Sequence, residues 1–486
     1  MRTTRLAQLV TTSMLISAMS FGTVEATYNS GTIDNVGGTI VLGNYYYTYA
    51  TDNLTLNVTS DLILTNPVNQ GRVFGFGGAN QNIVFNMNNN TFSSTNIYGG
   101  YERKSNVGVY INNAKDIYMF RPDGNIINIV GDQDVVYMQA NHDITFDMGT
   151  NVTNNPPLII GAKMVETMIA GNNFNIIAFS NPINLAGGEL DITAGQDINI
   201  LSSGTSGGIW TGNKGTILNM TAQNGKIDVL STGGNTASLI IDSGTTGTLL
   251  ANKDITIGGN SNRGIRANGG TVNLTSTTGK IKVSATNTTS KSGSTPINAG
   301  IYAGTNTQRG IANLNSDTEV SAVLRGVHAD NGTVNFAKNV TITEAQKGIV
   351  AENAGEVNVA GNAVITSTDT NVAVNNSKVT FAQDVNMTGA QKGIVADNSG
   401  DVNIAGNAVI TSTDTNVAAD NSKVIFAQDV NMTGAQKGIV AENTGEVNVA
   451  GNAVITSTDT SVAADNGTVT FAQNLTLSGA PTAIAV

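Results

Sequence analysis

From residue 326 onward, apolar residues alternate with polar ones in short runs, and the runs return on a fixed schedule. Val334/Phe336, Val357/Val359, Val379/Phe381, Val402/Ile404, Val424/Phe426, Val447/Val449 and Val469/Phe471 form one series. Val340/Ile342, Val385/Met387, Val430/Met432 and Leu475/Leu477 form a second, and Val327, Ile349, Val372, Ile394, Val417, Ile439 and Val462 mark a third. Alternation at period two buries one face of a strand and exposes the other. Between the third and first series stands an asparagine: Asn331, Asn353, Asn376, Asn398, Asn421, Asn443 and Asn466, at steps of 22 and 23 residues in turn. Its contexts ("DNG", "ENAG", "DNSG") are turns, and asparagine tolerates the left-handed backbone that a tight corner needs.

Three short strands per 22–23 residues at constant phase predict an all-β fold, a right-handed parallel β-helix. Gly348-Ile349, Gly393-Ile394 and Gly438-Ile439 recur every 45 residues, so the longer repeat is two coils. The doubling has a packing reason. Phe336, Phe381, Phe426 and Phe471 alternate with Val359, Ile404 and Val449 at one position. An aromatic ring every ~4.8 Å would overfill a narrow core, and alternation of large with small fills it. At this coil length the mature chain would hold about twenty coils.

Upstream the same grammar loosens. "GGELDITAGQDINIL", "GTILNMTAQNGKIDVL" and "GIRANGGTVNLTSTTGKIKV" each pair two alternating runs across a polar turn. The predicted organisation is an irregular first part of the helix with a cap over 27–185, further coils over 186–325, and regular double coils over 326–486, ending mid-repeat. A Ser/Thr-rich stretch at 284–300 reads as a loop. Ten of the eleven tyrosines lie at or before Tyr137, including "YYYTY" at 45–49.

Composition narrows the partners. Glycine is abundant (55 residues), proline rare (7), and only 12% of residues are charged. The net charge of −11 opposes a nucleic-acid partner, which needs a basic stripe. There is no cysteine, so stability must come from burial. "MRTTR", an apolar stretch and the small residues of "VEA" predict a signal peptide over 1–26, cleaved after Ala26. No later run approaches the ~20 apolar residues of a membrane-spanning helix.

An export signal followed by a cysteine-free β-helix rich in glycine, asparagine and threonine resembles the secreted passenger region of Gram-negative autotransporters. The "GQDINI" and "GKIDV" coils also resemble surface proteins of the filamentous-haemagglutinin type. The resemblance implies export to the cell surface or medium, adhesion or host-surface interaction through a long side wall, and an outer-membrane β-barrel translocator as partner. Members carry that barrel at their C-terminus or use a separate pore; this chain contains no barrel strands.

Candidate chemistry is sparse, and neither an enzyme nor a cofactor is expected. Enzymes of polysaccharide degradation that resemble this architecture use clustered Asp with Arg, Lys or His, and three or more such residues converging on one wall would favour that alternative. A purely structural stalk or surface-layer element is a further alternative. The two histidines, His142 and His328, lie far apart. His328 reads as one coil's variation, and His142 with Asp143 and Asp147 as a solvated strand face. Trp210, the one tryptophan, is expected beneath a loop. Asp330, Glu352, Asp397, Asp420, Glu442 and Asp465 each precede a ladder asparagine, with Asn375 at the equivalent place in one coil. Coils in register would stack these carboxylates ~5 Å apart, either as a solvated edge or as a strip for divalent cations, with Lys347, Lys392 and Lys437 partly offsetting their repulsion.

Overall fold

The computed structural model describes residues 165–486, apart from 179–181, 186, 205–206, 213–214, 234–235, 243, 288–297 and 306; before 165 it describes individual strands and a few connecting residues. The predicted signal peptide over 1–26 and the body of the 284–300 loop lie outside the described residues. The flanking strands Ile281–Ala285 and Ala299–Ala303 place an excursion where the loop was expected.

All described regular structure is β-strand, and each strand pairs in parallel with the strand one coil along. The fold is a parallel β-solenoid. The chain divides into two units, Met1–Gly204 with Thr211–Asp228, and Thr205–Trp210 with Val229–Val486. The stretch 186–325 is thus shared between units.

In the first unit one ladder runs through Val135–Ala140, Val165–Ala170, Glu189–Ala194 and Ile217–Ala222. Its register stacks Ile111, Met138, Met168, Ile192 and Met220, all buried. Flexible methionines interspersed with isoleucine fill a core whose coils differ in length. A second ladder stacks Ile117, Ile144, Phe174 and Ile198, with the Phe146 and Phe174 rings 5.9 Å apart.

The second unit has three walls. Wall A contains Arg263–Asn268, Ala299–Ala303, Arg325–Asp330 and their successors, including Lys392–Asp397. Wall B runs from Thr246–Ala251 through Lys378–Phe381 to Thr468–Phe471. Wall C includes Val385–Thr388 and Ala408–Thr411. Successive wall B strands begin at 246, 271, 311, 333 and 356, so a coil takes 25 and 40 residues upstream before settling to 22 and 23. The estimate of about twenty coils is therefore too high, because it applied the regular coil length to longer upstream coils.

The predicted phase holds residue by residue. Phe336, Val359, Phe381, Ile404, Phe426 and Val449 stack in one column, each at most 1% exposed. All seven ladder asparagines of 326–486 have φ between 48° and 56°. The 22/23 alternation arises at this corner. Asn353, Asn398 and Asn443 are followed by a second left-handed residue, Ala354, Ser399 or Thr444, whereas Asn376 and Asn421 stand alone. The extra residue brings a glycine N–H to the next coil, where Gly355 donates to Ser377 Oγ at 3.0 Å and Gly400 to Ser422 Oγ at 3.1 Å. Long and short corners thus lock together in pairs. On wall A, a Cβ at Gly348 would lie 2.4 Å from Ile365 Cγ2 and 2.5 Å from the Asn371 carbonyl oxygen, so glycine there makes room for the fully buried Asn371 one coil on.

At the corner between walls B and C, side-chain oxygens cap the next coil's backbone. Asn362 N donates to Asn339 Oδ1 at 2.9 Å, Asn407 N to Asp384 Oδ1 at 2.8 Å, and Asn452 N to Asp429 Oδ1 at 2.7 Å. Each satisfies a donor that the turn would otherwise leave unpaired.

Candidate functional site

Wall A carries the acidic column that the sequence predicts. The register stacks Asp330, Glu352, Asn375, Asp397, Asp420, Glu442 and Asp465 in one column, as the spacing required. Among the described residues, however, no three His, Cys, Asp or Glu side chains come together as a metal site would need. Two of the carboxylates are held by the ladder asparagine of the next coil: Asn353 Nδ2 donates to Asp330 Oδ1 at 2.8 Å, and Asn443 Nδ2 to Asp420 Oδ1 at 2.9 Å. Burial, and secondarily the neighbouring Asp420, raises the pKa of Asp397. Lys347 turns to Asp369, at 3.9 Å, on its own side of the wall.

At the upstream end of this wall the column meets groups that sequence spacing did not bring together. Arg266, Tyr302 and His328 occupy one outward position in consecutive coils. In the regular coils this position holds Val350, Ala373 and Val395. Arg266 pairs with Asp242. Tyr302 donates to Asp330 Oδ2 at 3.3 Å and meets the His328 ring edge-on, with centroids 5.1 Å apart. His328 Nε2 lies 2.7 Å from Glu352 Oε1. The Arg263 guanidinium sits 5.0 Å from the centre of the Tyr302 ring.

The cluster is largely dry. His328 is 1% exposed, Tyr302 3% and Asp242 6%. Burial raises Asp242 above its usual range despite the Arg266 charge beside it. Burial likewise raises Tyr302 to about 12 and lowers Arg263 to about 10. The hydrogen bond with His328 lowers Glu352. Among the described residues, His328 Nδ1, Arg263 Nε and Asp242 Oδ1 are buried without a hydrogen-bond partner. Such atoms are costly in a finished core.

His328 is therefore more than a variation of one coil: it is buried and joined to Glu352. His142, in contrast, is exposed, 3.8 Å from Asp116 Oδ1. Trp210 was expected under a loop and instead stands 38% exposed. Arg263 and Asp242 carried no sequence signal of their own; Arg266 and Tyr302 carried one, an arginine or aromatic residue where regular coils place valine or alanine.

No protein-family model, no curated protein and no solved structure matches this chain.

Proposed function

We propose that the chain is an exported surface protein, of the kind the autotransporter-passenger resemblance implies, that works by adhesion through its side walls and meets a host surface or glycan. The supporting observation is the repetition of outward residues. On wall A a single column holds Lys347, Lys392 and Lys437 at every second coil, standing out between threonines of which Thr370 and Thr415 are buried. A contact made by one double coil is available to the next, which multiplies weak contacts by avidity; a catalytic centre requires a unique place. The test has two arms. N-terminal sequencing of the protein recovered from outside an expressing Gram-negative cell should begin at Thr27. Binding of the purified chain to immobilised host cells should weaken in steps as double coils are removed; no binding, or loss of all binding with one double coil, overturns adhesion by the repeats.

A second reading rests on the wall A cluster. Six ionisable residues, Asp242, Arg263, Arg266, His328, Asp330 and Glu352, stand on adjacent coils of one wall, the arrangement that favours action on an extracellular polysaccharide. Trp210, 38% exposed, would offer a ring face to a sugar. Release of reducing ends from a panel of acidic and neutral glycans, abolished by H328A and E352Q, would establish it; an inactive wild type with unchanged glycan affinity in both variants removes it.

A further inference from the structure

From Val340 onward wall C differs from its neighbours in carrying no outward charge. Over seven coils, from Val340 to Ser478, its fourteen outward side chains are Thr, Val, Asn or Ser. Val364, Val409 and Val454 stand 40–42% exposed, with Asn386 and Asn431 between them in one column. The adjoining column is threonine, and its hydroxyls pair across coils, Thr366 with Thr388 at 3.1 Å and Thr411 with Thr433 at 3.0 Å. The wall is thus flat, uncharged and patterned with the two-coil period. A single exposed valine is ordinary, but a row of them at a fixed 45-residue interval calls for a partner with the same rise per coil. This chain has that rise.

We propose that wall C is the interface between two copies of this chain, packed side by side with their coils parallel about a two-fold axis that runs along the stack. That axis exchanges the two edges of the wall and keeps every coil level with its equivalent. The Val/Asn column of each copy then faces the Thr column of the other, so each valine meets the threonine methyls across the axis. The charged edges also match. On one coil the wall is bounded by Asp384 and Lys392, and two coils later by Asp429 and Lys437. The axis brings each lysine opposite its partner's aspartate. These groups are free for it: Lys392 and Lys437 are exposed and make no ion pair among the described residues, unlike Lys347 with Asp369. Asp384 and Asp429 are exposed and use a single oxygen to hold the next coil. An antiparallel pairing would instead set aspartate edge against aspartate edge. Seven rungs at ~4.8 Å give roughly 600 Å² per copy, at the low end for a specific interface.

Sedimentation of the full chain should show a concentration-dependent dimer. V409K, an exposed change that leaves the core untouched, and K392E/K437E should each weaken it at least about tenfold with unchanged circular dichroism. The chain lacks cysteine, so cross-linking is clean. V409C mixed with T411C should form the mixed disulfide in preference to either homodimer. A chain that stays monomeric up to about 300 μM, where even a weak specific dimer would be populated, overturns the proposal. So does a dimer indifferent to V409K, or one in which V409C cross-links chiefly to itself.

Discussion

Asp242 shows what the irregular coils carry that the regular ones do not. Its carboxylate is almost wholly buried, and burial outweighs the Arg266 guanidinium in raising its pKa above the usual 3.8. The raised value means that folding favours the protonated acid. This contribution is fully present below the unfolded pKa and is lost as pH rises through the folded one. Arg266 limits that loss. Arg266→Ala should cost about 3–5 kcal/mol in denaturant unfolding at neutral pH, the range for removing one partner of a buried pair, and less in acid. Adding Asp242→Asn should restore much of it. An equal loss at both pH values would show that the arginine acts by packing and not by charge. None of this was legible in the sequence. Asp242, Arg266, Tyr302 and His328 are separated by 24, 36 and 26 residues, and no fixed period links them. The left-handed asparagines were legible, because each corner sets the same steric demand and the same residue meets it.

One coil is the element, and its stability is set by what it stacks upon. The buried ring of Phe381 lies between Val359 and Ile404. Phe381→Ala should cost about 3–5 kcal/mol, and a loss below about 1 kcal/mol would put the ring outside and overturn the strand phase. The converse change is equally informative. Val359→Phe places three aromatic residues in consecutive coils and should cost about 1–3 kcal/mol by overpacking. The alternation was readable because strands of 326–486 keep one length and one corner type. The pairing of long with short corners was not: the steps of 22 and 23 were visible, but that Gly355 donates to Ser377 in the next coil is a fact of the stack. Upstream, insertions at corners change the coil length while period-two alternation persists. Strands there were legible and the number of coils was not.

For the molecule, the decisive question is whether the 45-residue repeat is a structural unit or a remnant of duplication. In a solenoid each coil contacts mainly its neighbours, so stability is close to a sum of local terms. Deleting 346–390 joins Ala345 to Gln391 and reproduces the native "AQKGIV". Ile394 then takes the place of Ile349 over Val327, and Ile404 follows Phe336, so large and small residues still alternate. The long corner at Asn398–Ser399 again stands over the short one at Asn331. This shortened chain should fold with modestly lower stability. Deleting only 346–375 joins Ala345 to Asn376 and removes one whole coil together with one further wall A strand, so a wall C strand meets an asparagine corner with no wall A strand between them. The strands of the neighbouring coils, Arg325–Asp330 and Lys392–Asp397, would each lose a partner for buried backbone groups. The smaller deletion should therefore do the greater damage, seen as lost β-sheet dichroism and rapid proteolysis within 300–420. Equal damage from both would mean that the period records the history of the gene and not the construction of the fold.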